Sequence, residues 1–482
     1  MAATYTRLSA LDATFLDVET ESAHMHVGAV SIFDAAPLRD DAGRIDIGRL
    51  ERMIERTFRR FPRYRQKLAW VPVFGHPVWI DDERFNIHYH VRHTALPGPG
   101  DERQLKRLAA RILSQQLDRG KPLWEMWVVE GLENDRIAII SKAHHCMIDG
   151  VGGVELIGTT MGASPRDIDA DELSPWRPRP RPSPRQLLVD EILRLASEPV
   201  TAARTAIEAI RHPLATAKAA RDSAVGIAQA VSAGVRGASE TPLNVDIGPH
   251  RRFDWTSLAL ADLKDIRNAL GGTLNDVVLT IAAGAMGRFL SQRGVDVKNL
   301  DFRAMVPVNF RSAEEHGALG NRITMVVAHL PVAEADAVAR LERVREETAR
   351  LKSSKEASGV KVLELLSEAT THGLFAAFAK LSALSRAYNV VVTNVPGPQF
   401  EAYLMRSPMR DVYPLVPLNQ NQALGIAVFS YFGRLFWGFN ADFDEVPDLH
   451  EVVLAVHDEF QTLRDAALAR RHSAAHKPDT AA

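Results

Sequence analysis

Cysteine is almost absent from this chain of 482 residues, in which Cys146 is the only one. A single thiol excludes an intramolecular disulfide and suits a reducing compartment such as the cytoplasm. Long apolar runs are missing as well, since stretches such as Val277–Gly287 fall short of the roughly 18–20 residues that cross a bilayer. No signal-peptide region is expected near the N-terminus, because acidic residues interrupt it: Asp12, Asp17, Glu19 and Glu21. We therefore expect a cytoplasmic protein whose membrane contact is at most peripheral.

The chain also lacks a dominant charge. Lysine and arginine number 58 and aspartate and glutamate 60, a formal net charge of −2 that gives no overall attraction for nucleic acid. Hydrophobic residues make up 46% and charged residues 24%, as in ordinary soluble globular proteins. Because the length exceeds what one core usually organises, two domains are expected. No short repeat is evident, so any symmetry between them would be structural only.

Alternating helical and strand patterns predict an α/β fold with mixed sheets. In the first half the predicted helices are Arg49–Phe61 and Asp101–Leu117, and the predicted strands Trp124–Val129 and Ile137–Ala143 form a hairpin. His88 and His90 are predicted to share one face of a further strand, as surface or hydrogen-bonded residues rather than metal ligands. In the second half we expect a helix at Leu274–Phe289, strands at Phe302–Val308, Ile323–Leu330 and Val390–Thr393, a hairpin of Leu424–Phe429 with Arg434–Phe439, and a closing helix at Leu449–Leu463.

The segment between the two halves has an unusual composition. Ser174–Arg185 alternates proline with arginine, which favours a stiff, extended connector. The alanine-rich stretch from about Leu187 to Gly237 predicts crossover helices interrupted at Pro199 and Pro213. Their basic residues either form a solvated helix surface, which the mixed charge pattern favours, or touch phospholipid headgroups.

The most informative stretch is His144-His145-Cys146-Met147-Ile148-Asp149-Gly150, which follows an apolar strand. A neutral imidazole can remove a proton from a hydroxyl group near physiological pH. Adjacent histidines point in different directions, so only one of them can face a given cavity while the other packs or hydrogen-bonds. Gly150 permits a turn on which the carboxylate of Asp149 can fix the loop. The pattern predicts base catalysis in which His144 and His145 have unequal roles.

Other chemistries for this stretch are less favoured. A lone histidine pair is more often structural, but the aspartate and glycine at fixed offsets favour catalysis. A metal site would use His144, His145 and Asp149, yet adjacent histidines rarely converge on one ion and no ligand-rich motif stands nearby. A nucleophilic Cys146 would need a base aimed at its thiol, and a neighbour in sequence seldom is. We therefore expect no metal.

The heptapeptide resembles the HHxxxDG motif of the coenzyme-A-dependent acyltransferase superfamily. Within that superfamily the chain is most similar to bacterial wax ester synthase/diacylglycerol acyltransferases, from about Leu8 to Leu468. The short signatures are weak one by one, but their order and spacing are specific. They are Leu11–Leu16, Met25–Gly28, Pro122-Leu123-Trp124, Asn275-Asp276 and Asn394–Pro398.

The resemblance implies an architecture. It comprises two mixed-sheet domains like chloramphenicol acetyltransferase, with a reaction tunnel between them and a Pro/Arg-rich and helical crossover joining them. We divide the chain into an N-terminal domain with the motif (residues 1–165), a linker with crossover helices (166–245), a C-terminal domain (246–468) and a flexible tail (469–482).

The resemblance also implies an activity. Long-chain acyl-CoA would be a co-substrate without any bound cofactor, and diacylglycerol or a fatty alcohol the acceptor. His145 would be the general base, and Asp149 would shape the loop, with Arg311 as its candidate partner. Association with the inner membrane or with lipid droplets would be peripheral. A noncatalytic lipid-binding protein and a condensation-type enzyme that uses a carrier-protein thioester remain alternatives.

Two further signatures have a physical interpretation of their own. Thr273 and Asp276 have the spacing of a capping box, so Asp276 is expected mainly to satisfy amides at a helix start. Asn275 would then lie in the first helical turn, where it could stabilise an oxyanion. Pro122, Leu123 and Trp124 either line the acyl channel or fix the turn before a strand.

Overall fold

Two six-stranded mixed sheets with helices packed against them form the framework of the chain. A computed structural model describes residues 4–147, 161–166, 176–196, 237–309, 323–353 and 386–475. The predicted α/β class with mixed sheets is confirmed.

Helices and strands alternate through the first half. The helices are α1 (Ala10–Val18), α2 (Ile47–Phe58), α3 (Ile87–His90) and α4 (Glu102–Leu113), with single 3-10 turns at Ala36–Leu38, Pro62–Arg65 and His145–Met147. The strands are β1 (Tyr5–Arg7), β2 (His26–Asp34), β3 (Gln66–Trp70), β4 (Pro77–Asp81), β5 (Val91–Ala95), β6 (Trp124–Leu132) and β7 (Arg136–His144).

The second half repeats the alternation. Its helices are α5 (Leu260–Leu270), α6 (Leu274–Gln292), α7 (Ala337–Ser353) and α8 (Leu449–Ala475). Its strands are β8 (Arg251–Ala259), β9 (Arg303–Asn309), β10 (Ile323–His329), β11 (Val390–Pro396), β12 (Tyr403–Leu404), β13 (Ser407–Leu415), β14 (Leu424–Tyr431) and β15 (Arg434–Asp442). Between the halves, residues 176–183 form neither helix nor strand, as expected of the connector, and a helix covers residues 184–196.

The second half of the chain contributes a strand pair to the large sheet of the first half. The first large sheet has the order β12-β13-β2-β7-β6-β5, and the second β10-β9-β11-β14-β15-β8. β12 and β13 belong by sequence to the second half, but β13 pairs with β2 of the first half and β12 pairs with β13. A small sheet, β1-β4-β3, completes the first half. The division at residues 165 and 245 stays a prediction, and it assigns β12 and β13 to the C-terminal domain.

β13 also brings the two sheets into contact. Trp255 of β8 stacks on Tyr413 of β13, with ring centroids 4.6 Å apart. A Cβ at Gly438 of β15 would lie 1.8 Å from the main-chain oxygen of Pro414, so only glycine allows this approach. One apolar core therefore runs from the first sheet to the adjoining face of the second.

Most predicted elements are present, but some differ from their predicted bounds. The closing helix α8 continues to Ala475 instead of ending at Leu463, so residues 469–475 of the expected flexible tail are helical. α4 is capped by Asp101 and Gln104 as a capping box, but it ends at Leu113 instead of Leu117. The reason is tertiary, because the buried Nζ of Lys142 donates to the main-chain oxygens of Ile112 and Gln115, at 3.0 and 2.8 Å. The chain then turns away from the helical path.

The prediction that His88 and His90 lie in a strand is wrong. The Asn86 side chain caps the short helix α3 by accepting from the amide of His88, and the strand begins only at Val91. His88 reaches Glu51 (Nδ1 to Oε1, 2.8 Å), and buried His90 donates from Nδ1 to the main-chain oxygen of Trp124 at 2.8 Å. Both histidines are hydrogen-bonded residues, as predicted.

Candidate functional site

The double histidine lies where the central strand β7 ends. His144 is the last residue of β7, and its amide donates to the main-chain oxygen of Leu123 at 2.9 Å. The amide of His145 donates instead to the main-chain oxygen of Met25 at 2.7 Å. The main chain of His144 is thus bound to the residue that precedes β6, and that of His145 to the residue that precedes β2. His144 is 1% exposed, whereas His145 remains partly exposed.

Phe15 of α1 covers the ring of His145. The two rings stack with centroids 3.9 Å apart and an interplanar angle of 15°. Burial lowers the pKa of His145 to about 4, although its own main-chain carbonyl opposes this shift and nearby His144 adds to it. The ring is therefore neutral at physiological pH and able to accept a proton. Its Nδ1 is inaccessible and has no hydrogen-bond partner within the described ranges, which leaves Nε2 for a substrate.

His144 turns into the protein instead. Its Nδ1 accepts a hydrogen bond from the amide of Cys146 at 3.2 Å. A neutral ring that accepts at Nδ1 carries its proton on Nε2, and this nitrogen lies 3.6 Å from Oε2 of Glu19. His144 is thus fixed between its own turn and a buried carboxylate.

Glu19 is the centre of a buried polar cluster that none of the sequence signatures indicates. Its carboxylate is 1% exposed and lies 3.7 Å from Nε2 of His26 and 4.0 Å from Nδ1 of His24. Arg119 binds the carboxylate and also donates to the main-chain oxygen of Leu16 at 3.0 Å. Burial alone would raise the pKa of Glu19, but His144 and Arg119 together lower it to about 2.

The histidines opposite Glu19 are held neutral. Burial lowers the pKa of His24 and lowers that of His26 well below its usual value. The antiparallel pairing of β2 with β7 places His26 directly opposite His144. This pairing could have been inferred from the Met25–Gly28 signature once β2 and the motif strand were taken as neighbours. Nothing in the sequence identifies Glu19, since it reaches the cluster from the C-terminal end of α1.

Cys146 is a small apolar residue here. Its thiol is 3% exposed and packs in a cluster with Leu16 and Leu123. Burial raises the pKa of this thiol well above its usual range, with a further contribution from Asp12. A thiol that stays protonated is a poor nucleophile. This agrees with the expectation that Cys146 is not a nucleophile.

Pro122, Leu123 and Trp124 fix the strand end next to the motif. Leu123 is fully buried, and its carbonyl is the one that accepts from the amide of His144. Trp124 is 2% exposed and donates from Nε1 to the main-chain oxygen of Tyr64 at 2.8 Å. The contacts of Leu123 and Trp124 match the turn-fixing interpretation, and the acyl-channel role stays a prediction.

Asp276 forms the expected capping box with Thr273 at the start of α6. Its Oδ2 accepts from the Thr273 amide at 2.7 Å, and the Thr273 hydroxyl accepts from the Asp276 amide at 3.2 Å. Its Oδ1 accepts from the hydroxyl of Thr348 at 2.8 Å, which ties α6 to α7. Asn275 accepts from the side-chain amide of Asn394 at 3.3 Å. Two signatures far apart in sequence thus meet, and the oxyanion role of Asn275 stays a prediction.

Some predicted features cannot be compared with the structure. Asp149, Gly150 and Arg311 lie outside the described residues.

A cavity of about 440 Å³ is lined by Phe302, His329, Leu330 and the Arg343–Arg350 side of α7, and contains none of the predicted site residues. The reaction tunnel therefore stays a prediction. Among residues whose positions are described, no group of histidine, cysteine, aspartate or glutamate side chains could hold a metal ion.

The site adjoins the second half of the chain. Phe15, Val18, Ala23 and Met25 pack against the apolar core formed by α5–α8 and the second sheet. Phe15, which stacks on the base candidate, therefore also contacts the second half of the chain. No single helix in the described parts of the chain is long and apolar enough to span a membrane. α5 and α6 reach the required length and composition only as a pair, bent by 98°.

Comparisons with known proteins agree with this arrangement. The family model of the wax ester synthase/diacylglycerol acyltransferase catalytic domain matches residues 8–278, and that of the C-terminal domain of the same family matches residues 319–464. A putative diacylglycerol O-acyltransferase of Mycobacterium tuberculosis (strain CDC 1551 / Oshkosh) is 32% identical over 450 residues, or 92% of this chain and 87% of the relative. A probable diacylglycerol O-acyltransferase of M. tuberculosis (strain H37Rv) is 30% identical over 94% of both chains.

Solved structures share the fold. The wax ester synthase/diacylglycerol acyltransferase from Marinobacter aquaeolei VT8 superimposes with a TM-score of 0.65 at 23% identity, over 96% of this chain and 100% of the other. The starter condensation domain of rhizomide synthetase, in complex with C8-CoA and Leu-SNAC, has a TM-score of 0.55 at 13% identity, over 96% and 95%. At these identities the likeness shows the two-domain fold alone.

Proposed function

Since the chain belongs to the wax ester synthase/diacylglycerol acyltransferase family, we propose that it moves a long-chain acyl group from acyl-CoA to the hydroxyl of diacylglycerol. Wax ester formation from a fatty alcohol is a second activity of the same site. The observation that carries the proposal is the neutral ring of His145, a residue that is partly exposed and stacked under Phe15 at the end of β7. The family supplies the reaction class, and a neutral imidazole suits the general base that this reaction class requires.

His145 acts as general base in this proposal. Its Nε2 removes the proton from the acceptor hydroxyl while the hydroxyl oxygen attacks the carbonyl carbon of the thioester. Collapse of the tetrahedral intermediate breaks the carbon–sulfur bond, and the proton on His145 passes to the departing CoA sulfur. The acyl group moves in one transfer, so no covalent acyl-enzyme forms. Because its pKa is about 4, His145 is a weak base but, once protonated, a strong acid towards the thiolate.

The other residues position the base. His144 and Glu19 hold the end of β7 from inside the protein, at 3.6 Å from each other. Asn275 is the candidate donor to the oxyanion of the tetrahedral intermediate, and Asp149 shapes the turn, with Arg311 as its candidate partner. The acceptors are lipophilic, so the enzyme would work at the surface of the inner membrane or of a lipid droplet.

Turnover by the purified protein tests the proposal. Long-chain acyl-CoA is supplied with either diacylglycerol or hexadecanol, and free CoA and neutral lipid are followed together. CoA release matched by triacylglycerol or wax ester is the expected result. A folded protein that releases no CoA with either acceptor would overturn the proposal. Acyl transfer only from a carrier-protein thioester would favour a condensation-type enzyme instead.

A further inference from the structure

The helix at residues 184–196 is fastened to the small sheet in one orientation. Leu187 packs on Val71, Val78 and Ile80 of the β3–β4 hairpin. The hydroxyl of Tyr5 donates to Asp190 at 3.1 Å, and Arg7 forms an ion pair with Glu191. These contacts lie on one side of the helix, so its opposite side faces away from the sheet.

That opposite side carries an apolar stripe. Val189, Ile192 and Leu193 follow the i, i+3, i+4 spacing of one helical face, and they are 44%, 51% and 62% exposed. Single exposed aliphatic residues are ordinary, but three adjoining ones on a fixed helix form a patch that water disfavours. An apolar occupant would remove this patch from water.

Three arginines flank the stripe on its N-terminal side. Arg177, Arg181 and Arg185 recur every fourth residue and are exposed. None of them has an ion pair or hydrogen bond with another described residue. Arg179, between them, binds Asp81 through its guanidinium and its amide, which fixes the connector against β4. Arg185 lies in the helix itself, one turn before Val189, so its guanidinium adjoins the apolar stripe, and Arg177 and Arg181 precede it in the fixed connector.

We propose that the stripe and these three arginines dock the protein on an anionic phospholipid surface. The aliphatic side chains enter the headgroup boundary, and the arginines bind lipid phosphates. Positive charge beside exposed aliphatic residues fits this occupant better than it fits a second copy of the chain, whose stripe would bring like charges together. The purpose of docking rests on the proposed function, because diacylglycerol and fatty alcohols dissolve in such surfaces.

Vesicle co-sedimentation tests the docking surface. The full chain is mixed with vesicles of phosphatidylcholine alone, or of phosphatidylcholine with phosphatidylglycerol. We expect strong binding only to the anionic vesicles. The triple substitution of Arg177, Arg181 and Arg185 to glutamine should weaken that binding by about fivefold per arginine. Replacing Val189, Ile192 and Leu193 with serine should weaken it as well.

Matched controls separate this surface from general charge or apolarity. Arg103, Arg107 and Arg111 on α4 are exposed with the same four-residue spacing, and Leu454 on α8 is 45% exposed. Glutamine at the three α4 positions, or serine at Leu454, should leave vesicle binding close to that of the unmodified protein. Equal losses in the α4 variant and the connector variant would overturn the proposal, as would unchanged binding of the stripe variant.

Two measurements keep docking separate from catalysis. Turnover of detergent-dispersed hexadecanol should be the same in the docking variants and the unmodified protein, which also shows that they are folded. Absence of turnover with retained vesicle binding would reject the proposed function alone. An unmodified protein that stays in the supernatant with anionic vesicles, or a dimer that the serine variant dissociates, would reject the docking proposal alone.

Discussion

Phe15 and His145 form a stacked pair, 3.9 Å between ring centroids, at the point where the leading helix crosses the end of the motif strand. The stack both shields the base and sets its plane. It also links the N-terminal signature Leu11–Leu16 to the histidine motif, since Phe15 belongs to that signature and covers the base candidate. Phe15 in turn packs against the core of the second half.

Replacing Phe15 with alanine should change the pH dependence of turnover. Burial holds the pKa of His145 at about 4, and removal of the covering ring should raise it towards its usual value. A base works only when unprotonated, so activity is lost as pH falls through this pKa. The acid limb of the kcat/KM profile should therefore move to higher pH in the alanine variant. Phe15→Leu, which keeps apolar cover, should shift it less, and superimposable profiles of all three proteins would contradict the shielding role.

Replacing Glu19 with glutamine should reduce stability in a pH-dependent way. The pKa of Glu19 is about 2 when folded against an ordinary 4.5, so its contribution is fully present above pH 4.5 and is lost as pH falls from there towards 2. A shift of this size corresponds to about 3 kcal/mol. Denaturant unfolding should show the largest loss at neutral pH and a smaller one near pH 3.

The neighbouring Glu21 provides the matched control, because it is exposed. Glu21→Gln should unfold like the unmodified protein at every pH. If Glu19→Gln were equally harmless at neutral pH, the buried cluster around the carboxylate would not be stabilising. His24 and His26, whose pKa values are lowered, favour unfolding at acid pH in all three proteins.

Trp124→Phe should separate the structural role of the Pro122-Leu123-Trp124 signature from an acyl-channel role. The substitution keeps the aromatic ring but removes the donor to the Tyr64 carbonyl, which costs about 1–3 kcal/mol when the acceptor stays buried. The midpoint of thermal unfolding should fall, while the preference among acyl-CoA chain lengths should stay the same. A changed chain-length preference at unchanged stability would indicate a channel-lining residue instead.

Asp276→Ala should destabilise the second half. It removes a capping box that is worth roughly 0.5–2 kcal/mol, and the link to Thr348 as well. Asp262 also lies in the first turn of a helix, α5, but it makes no cap there, so Asp262→Ala should cost less. Denaturant titrations of the two variants decide the matter. Equal losses would contradict the capping role assigned to Asp276, because Asp262 makes only a long ion pair with Arg464 (3.9 Å).

Elements whose ends are set by residues close together in sequence were predicted well. The β6–β7 hairpin follows from two apolar runs around Asn134 and Asp135, both of which adopt positive φ. The capping box of α6 follows from Thr273 and Asp276 alone. Short local signals of this kind are independent of the rest of the chain.

Features that depend on distant contacts were not predictable in the same way. α4 ends early because Lys142, almost thirty residues later, binds the carbonyls of Ile112 in its last turn and of Gln115 just beyond it. β13 joins the sheet of the first half, although nothing in Ser407–Leu415 distinguishes it from a strand of its own half. Glu19 belongs to the site only because α1 folds back over the motif. The roles of Asp149 and Arg311 stay predictions.

Steady-state turnover of His145→Ala tests the central claim most directly. CoA release from long-chain acyl-CoA with diacylglycerol is compared with that of the unmodified protein and of His88→Ala, whose ring is exposed and paired with Glu51. General-base catalysis predicts that kcat falls by about a hundred- to ten-thousand-fold in His145→Ala, with binding of the lipid acceptor retained. His88→Ala should be unaffected. Unchanged kcat in a folded His145→Ala protein would contradict the role assigned to this histidine.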